Sequence, residues 1–191
     1  MPFGLTNVPE TFFTLMNDVF RSLLDTCVVV YLDDILVFSR TVEGHRAHLA
    51  EVFKLLRNHN LFIKKEKCTF AQTEVQFLGH IVGHGMYKPD PEKLRAIEDW
   101  EPLRSVHDVR QFLGLTNYYR KFVFSYSKIA APLTDLLKKD RGSKWGPKQQ
   151  KAFEQLKEKL IKQPVLELPK YGEPFEVQTD AFDFSLGGVL M

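Results

Sequence analysis

Residues 28–38 constrain this chain more than any other stretch. Two apolar runs, Val28-Val29-Val30 and Ile35-Leu36-Val37-Phe38, meet at Tyr31-Leu32-Asp33-Asp34. β-Branched and aromatic residues favour a pleated, packed surface, so both runs predict buried strands joined as a hairpin. Adjacent carboxylates at its tip are costly to hold unless a positive charge sits beside them. A hard divalent cation such as Mg²⁺ answers that need, taking oxygen ligands from carboxylates and substrate phosphates. A polar β-turn is the plainer reading, since Asp is a common turn residue. The Tyr-x-Asp-Asp pattern between two strands favours the metal reading.

Around this hairpin the chain alternates helical and extended signals. Pro9 followed by Thr11, Phe12, Leu15, Met16, Val19 and Phe20 predicts a helix. Leu49, Val52, Phe53 and Leu56 mark an amphipathic helix over about 43–58. Leu61-Phe62-Ile63 and Val75-Gln76-Phe77-Leu78 are short strand candidates, and Gly79, Gly83 and Gly85 punctuate a turn-rich stretch. After a boundary near Lys88, Asp90 and Pro91 open a helix carrying Leu94, Ile97 and Trp100, stopped by Pro102. Ser105 with Asp108 resembles a capping box ahead of Val109, Phe112, Leu113 and Tyr119. Arg141-Gly142-Ser143 reads as a loop, Pro147 starts a helix with Phe153, Leu156 and Leu160, and Pro164 and Pro169 mark a connector. Alternation at Phe175, Val177 and Thr179 predicts the edge of a new α/β domain.

Composition sets bounds on function. The 191 residues, 44% hydrophobic and 26% charged, suit one large or two small globular domains. A net charge of +2 does not announce nucleic acid; clustered Lys and Arg are needed for that. Lys64, Lys65 and Lys67 form one cluster, and Lys138, Lys139, Arg141, Lys144, Lys148 and Lys151 a second. On charge alone such runs read as solvated faces. Cys27 and Cys68 form no zinc or disulfide pattern, which suits a reducing compartment. No signal peptide or membrane span is visible, so a soluble intracellular protein is expected, nuclear or cytoplasmic. His45 with His48, and His80 with His84, lack the third and fourth ligands of a zinc site and read as structural or exposed.

The hairpin resembles the catalytic hairpin of reverse transcriptases. Met1-Pro2-Phe3-Gly4-Leu5-Thr6-Asn7-Val8-Pro9 is similar to the preceding palm motif of gypsy-class long-terminal-repeat retrotransposons. Lys64-Lys65-Glu66-Lys67-Cys68, Phe77-Leu78-Gly79-His80, Phe112-Leu113-Gly114-Leu115 with Asn117-Tyr118-Tyr119-Arg120, Ala130-Ala131-Pro132-Leu133-Thr134 and Gln178-Thr179-Asp180-Ala181 fit the same family in order. The resemblance spans the whole chain. It departs at Val8, Glu10, Phe13 and Phe182, where the family usually has other residues.

The resemblance implies an α+β fold: a partial polymerase palm over 1–87, a helical thumb and connection over 88–163, and opening strands of a ribonuclease H-like α/β domain over 164–191. It implies RNA-directed DNA synthesis by two Mg²⁺ ions about 4 Å apart, with Mn²⁺ as an alternative. Asp33 would be the main metal ligand of the hairpin and Asp34 the secondary one. Pro2, Phe3 and Gly4 would line the nucleotide pocket, and Tyr31 would pack under the primer terminus. Phe77, Leu78, Gly79 and His80 would form the primer grip. Asp180 would be the first metal-binding carboxylate of a ribonuclease H site. The partners implied are an RNA or DNA template-primer duplex, a deoxynucleoside triphosphate and the rest of a Pol polyprotein, with no membrane.

The same resemblance places a further catalytic aspartate upstream of Met1 and further ribonuclease H carboxylates beyond Met191. The chain by itself is therefore expected to be inactive and to leave a palm-sheet edge uncovered. A non-catalytic retroelement remnant that binds nucleic acid or protein is the alternative.

Overall fold

The computed structural model describes residues 7–138, 144–162, 165–168, 174–182 and 185–190. Helix α1 (Val8–Val19) places Pro9 in its first turn, where a missing N–H removes no helical bond. It leads to an antiparallel hairpin, β1 (Val28–Tyr31) and β2 (Asp34–Val37), and then to α2 (Val42–Asn58). Thr41 caps α2, its hydroxyl accepting from the Gly44 amide at 3.1 Å. Met16, Val19 and Phe20 meet Val28 and Val30 of β1 and Val52 and Leu56 of α2 in one buried cluster, with Cys27. Burial pushes the Cys27 thiol up.

The strands are less buried than their composition predicts. Val28 and Val30 are buried, but Ile35, Leu36 and Val37 are half-buried and Phe38 is exposed. The hairpin is a two-stranded sheet packed between α1 and α2, so alternate side chains face away from that core. Leu61-Phe62-Ile63 forms no strand; it runs unpaired to a 3₁₀ turn at Lys65–Lys67, with Phe62 94% exposed.

A second antiparallel sheet follows: β3 (Glu74–Phe77), β4 (His80–Gly83) and β5 (Met86–Pro89), each joined by two residues. Helices α3 (Pro91–Glu98), α4 (Val106–Tyr118), α5 (Tyr126–Asp135) and α6 (Pro147–Ile161) build the larger core. Ile97, Phe112, Leu133, Leu156 and Leu160 are fully buried there, with Tyr87 and Leu166 packed against it. After α6, the two-residue strand β6 (Leu166–Glu167) returns to pair with β5. The last hairpin is β7 (Val177–Phe182) with β8 (Ser185–Leu190).

The capping box at the start of α4 is formed. Ser105 Oγ accepts from the Asp108 amide at 3.1 Å, and the Asp108 carboxylate accepts from the Ser105 amide at 3.0 Å and the Arg104 amide at 2.9 Å. The Arg104 amide first, then Ser105, hold the Asp108 carboxyl below its usual value. A carboxyl depressed in the fold contributes stability above its unfolded pKa and loses it as pH falls through the folded value. Ser105→Ala is expected to lower the unfolding free energy by about 1 kcal/mol at neutral pH, read by urea titration. An unchanged midpoint would show that the cap does not support α4.

Candidate functional site

The tip of the first hairpin is a two-residue loop, Leu32-Asp33, closed by the Tyr31–Asp34 pair. Leu32 has φ +53°, in a position where hairpins prefer glycine. Left-handed backbone at a branched residue costs about 1–2 kcal/mol and persists only where its surroundings enforce it. Asp33 sits in that loop and Asp34 opens β2, and both are exposed. No group of three His, Cys, Asp or Glu able to hold a metal occurs among the described residues. Two adjacent exposed carboxylates suit Mg²⁺, which binds through one or two carboxylates and completes its shell with water and substrate phosphates. They make no closed protein cage.

The second feature is the turn at Leu78-Gly79 between β3 and β4. Both residues have positive φ, +47° and +66°, as a type I′ turn requires. Its carbonyls are all used. Leu78 O accepts from Tyr118 Oη at 2.5 Å and from His80 Nδ1 at 2.7 Å. Gly79 O accepts from Tyr119 Oη at 2.7 Å and from the Asp90 amide at 3.1 Å. Asp90 is buried, takes Gln76 Nε2 on one oxygen at 2.5 Å, and caps α3 with the other through the Glu92 amide at 2.9 Å.

His80 lies buried among the rings of Tyr87, Tyr118, Tyr119 and Phe122, with centroids 5.3–5.9 Å away. Because a carbonyl only accepts, Nδ1 carries the proton, which leaves Nε2 bare and without a partner. Burial, foremost, and the nearby Lys121 charge lower the imidazole pKa against the pull of the Leu78 carbonyl. His80 is thus a neutral structural histidine. Lys121 covers the Tyr87 ring at 4.3 Å.

Burial raises the Tyr118 phenol, and Tyr31, at the end of β1, lies near enough to raise it further. The Leu78-Gly79 turn and the end of α4 meet through Tyr118 and Tyr119. The sequence pattern assigns no site role to Tyr118, Tyr119 or Gln76 and makes Asp90 a helix cap, which it is, although the Asn117-Tyr118-Tyr119-Arg120 run marks the place.

Other candidates are dispersed. Ser39 Oγ bonds Nδ1 of His45 and of His48, at 3.2 and 2.7 Å, which gives both imidazoles a structural partner. Lys64, Lys65 and Lys67 are exposed on their 3₁₀ turn. Asp180 lies in β7 opposite Gly187 of β8. Pro2, Phe3 and Gly4 lie outside the described residues.

Residues 1–82 match the family profile described as reverse transcriptase (RNA-dependent DNA polymerase), and residues 145–191 match the RNase H-like domain found in reverse transcriptase. Over all 191 residues the chain is 42% identical to the retrovirus-related Pol polyprotein from transposon 297 of Drosophila melanogaster. This chain belongs to the reverse transcriptases of gypsy-class retrotransposon Pol polyproteins.

Two further relatives in that family are the transposon opus Pol polyprotein of Drosophila melanogaster, 38% identical, and the transposon Tf2-3 polyprotein of Schizosaccharomyces pombe, 36% identical. Each alignment takes in 100% of this chain but only 18%, 20% and 14% of the 297, opus and Tf2-3 polyproteins respectively. The fold agrees with solved reverse transcriptases. The foamy viral protease-reverse transcriptase dRH in complex with double-stranded DNA superposes with a TM-score of 0.85 at 27% identity, covering 95% of this chain and 32% of that one. The foamy viral protease-reverse transcriptase in complex with an RNA/DNA hybrid gives 0.82 at 27% identity, covering 95% and 25%. The α+β expectation holds, and no described helix of this reverse transcriptase segment is long and apolar enough to cross a membrane.

Proposed function

We propose that this chain supplies the metal-binding hairpin and the primer-positioning turn of an RNA-directed DNA polymerase acting on a template-primer duplex and deoxynucleoside triphosphates. The observation that carries this reading is the exposed Asp33-Asp34 tip of the hairpin, inside residues 1–82 that match the reverse transcriptase family. Asp33 and Asp34 would hold Mg²⁺, which supplies charge neutralisation for the attacking and leaving oxygens of in-line phosphoryl transfer. The strained Leu32-Asp33 loop keeps the carboxylates exposed at one edge. Tyr31, half exposed beside them, offers a flat ring with a polar tip to the primer terminus. Phe77, Leu78, Gly79 and His80 hold the turn that aims the 3′ hydroxyl, where small misplacements are expensive. Pro2, Phe3 and Gly4 complete the nucleotide pocket, and Asp180 takes part in a ribonuclease H site.

In this reading residues 1–87 are palm, 88–163 thumb and connection, and 164–191 the opening of the ribonuclease H-like domain. The burial of Leu156 and Leu160 in the helical core supports placing α6 with the thumb and connection. The exposed Lys64, Lys65 and Lys67 face the duplex, and the protein works inside the cell as part of a Pol polyprotein.

Primer extension on an RNA template by a Pol reverse transcriptase carrying this chain tests the reading. Synthesis is expected in Mg²⁺, to vanish on chelation, and to return with Mg²⁺ or Mn²⁺. Extension that survives chelation would overturn it.

A further inference from the structure

The two tyrosines that end α4 do different things to the Leu78-Gly79 turn. Tyr118 is 50% exposed, whereas Tyr119 is 1% exposed and reaches the turn from inside the helical core. Burial, then the charges of Asp90 and Tyr118, push the Tyr119 phenol up to about 12, so it stays a neutral donor. Its bond to Gly79 O is 2.7 Å, and a Cβ on Gly79 would stand 3.3 Å from the same hydroxyl. The turn and the phenol are thus fitted to each other across 40 residues of sequence. Through Gly79 O the phenol also shares an acceptor with the Asp90 amide, at the start of α3. The tip of the β3–β4 hairpin is therefore tied to the helical unit that begins at α3 rather than to the core under Asp33.

We infer that Tyr119 is a positioning residue for nucleotide addition: its hydroxyl locks the Leu78-Gly79 turn to α4, so that the helical unit and the primer 3′ end move as one body. The inference rests on the polymerase reading above. It assigns the helical unit a part in aligning the reacting end, in addition to gripping the duplex. Loss of the hydroxyl leaves Gly79 O with the Asp90 amide alone and the turn tied to α4 only through the half-exposed Tyr118 on Leu78 O, while the Tyr119 ring still fills its place in the core.

The test is Tyr119→Phe in a Pol reverse transcriptase carrying this chain. Single-turnover incorporation at saturating nucleotide is expected to fall about five- to tenfold, while duplex affinity stays within about twofold. Tyr126→Phe is the control, because its hydroxyl meets Thr116 Oγ1 at 2.9 Å inside the same helical unit. It is expected to lower the melting temperature and leave incorporation within about twofold. An active parent with Tyr119→Phe incorporating at the parental rate overturns the inference alone, as does an equal loss in Tyr126→Phe. A parent that extends no primer, or that extends equally well as Asp33→Asn, overturns the polymerase reading and this inference with it.

Discussion

Asp33→Asn in a Pol reverse transcriptase carrying this chain is expected to reduce nucleotide incorporation by about a thousandfold, the scale seen when a group that stabilises transition-state charge is removed. The substitution isolates charge from shape. Asn keeps the volume of Asp and is at home in a tight turn, so the Leu32-Asp33 loop and the Tyr31–Asp34 pair should persist. Asp33 is exposed, and surface substitutions away from caps and buried networks change stability by about 0.5 kcal/mol or less. What changes is the donor set. A carboxylate offers two anionic oxygens, whereas the amide offers one neutral oxygen and turns two N–H donors towards the cation. Asp34→Asn should cost less, since Asp34 opens β2 and is the secondary ligand in the proposed site. Single-turnover incorporation with a parallel thermal melt and duplex-binding titration reads all three terms. Undiminished incorporation would remove Asp33 from the chemistry. Lost incorporation accompanied by a collapsed melting curve would instead mark it as a structural residue.

What the sequence disclosed and what it hid divide along physical lines. The first hairpin, α2, the Ser105-Asp108 box and the Pro147 start of α6 follow from patterns within a few residues, where side-chain period and capping chemistry act directly. Leu32 at φ +53° was not legible, because leucine is no turn former and only the strands on either side impose that angle. Leu61-Phe62-Ile63 has strand composition yet no neighbour to pair with, and propensity cannot supply one. The return of β6 to β5 rests on two residue pairs, too few to leave a periodic trace. The site was half legible for the same reason. Asp33 and Asp34 stand out locally, but the hydroxyls of Tyr118 and Tyr119 reach backbone carbonyls 40 residues away, and any residue would present the same carbonyl. Periodicity names the face a residue occupies and leaves its partner unnamed.

Gly83→Ala is expected to destabilise the protein by about 2–3 kcal/mol, in the range of forced overpacking. Gly83 closes β4 against Glu74, and a Cβ built there would stand 2.3 Å from Thr73 O, 2.9 Å from Glu74 Cα and 2.8 Å from Glu74 Cγ. Two of those atoms are backbone, so no rotamer change relieves the contact and the Glu74–Gly83 pair must open. Gly85→Ala provides the contrast. Nothing lies within 4 Å of its Cβ position, and its cost comes from φ +71° alone, about 1–2 kcal/mol. Gly114→Ala should go the other way. It lies inside α4 with open space at its Cβ position, so alanine is expected to add about 0.5–1 kcal/mol through helix propensity. At about 2–4 °C per kcal/mol for a chain of this size, thermal melts should rank the three variants clearly. The order matters for the site, because the strands opened by Gly83→Ala carry the Leu78-Gly79 turn at their other end. A loosened ladder should weaken the hold of Tyr119 on Gly79 O, so incorporation should fall in Gly83→Ala even below its melting transition. Gly83→Ala melting with the parent would show that β3 and β4 separate at no cost, and the turn would then owe its position to the α4 tyrosines alone.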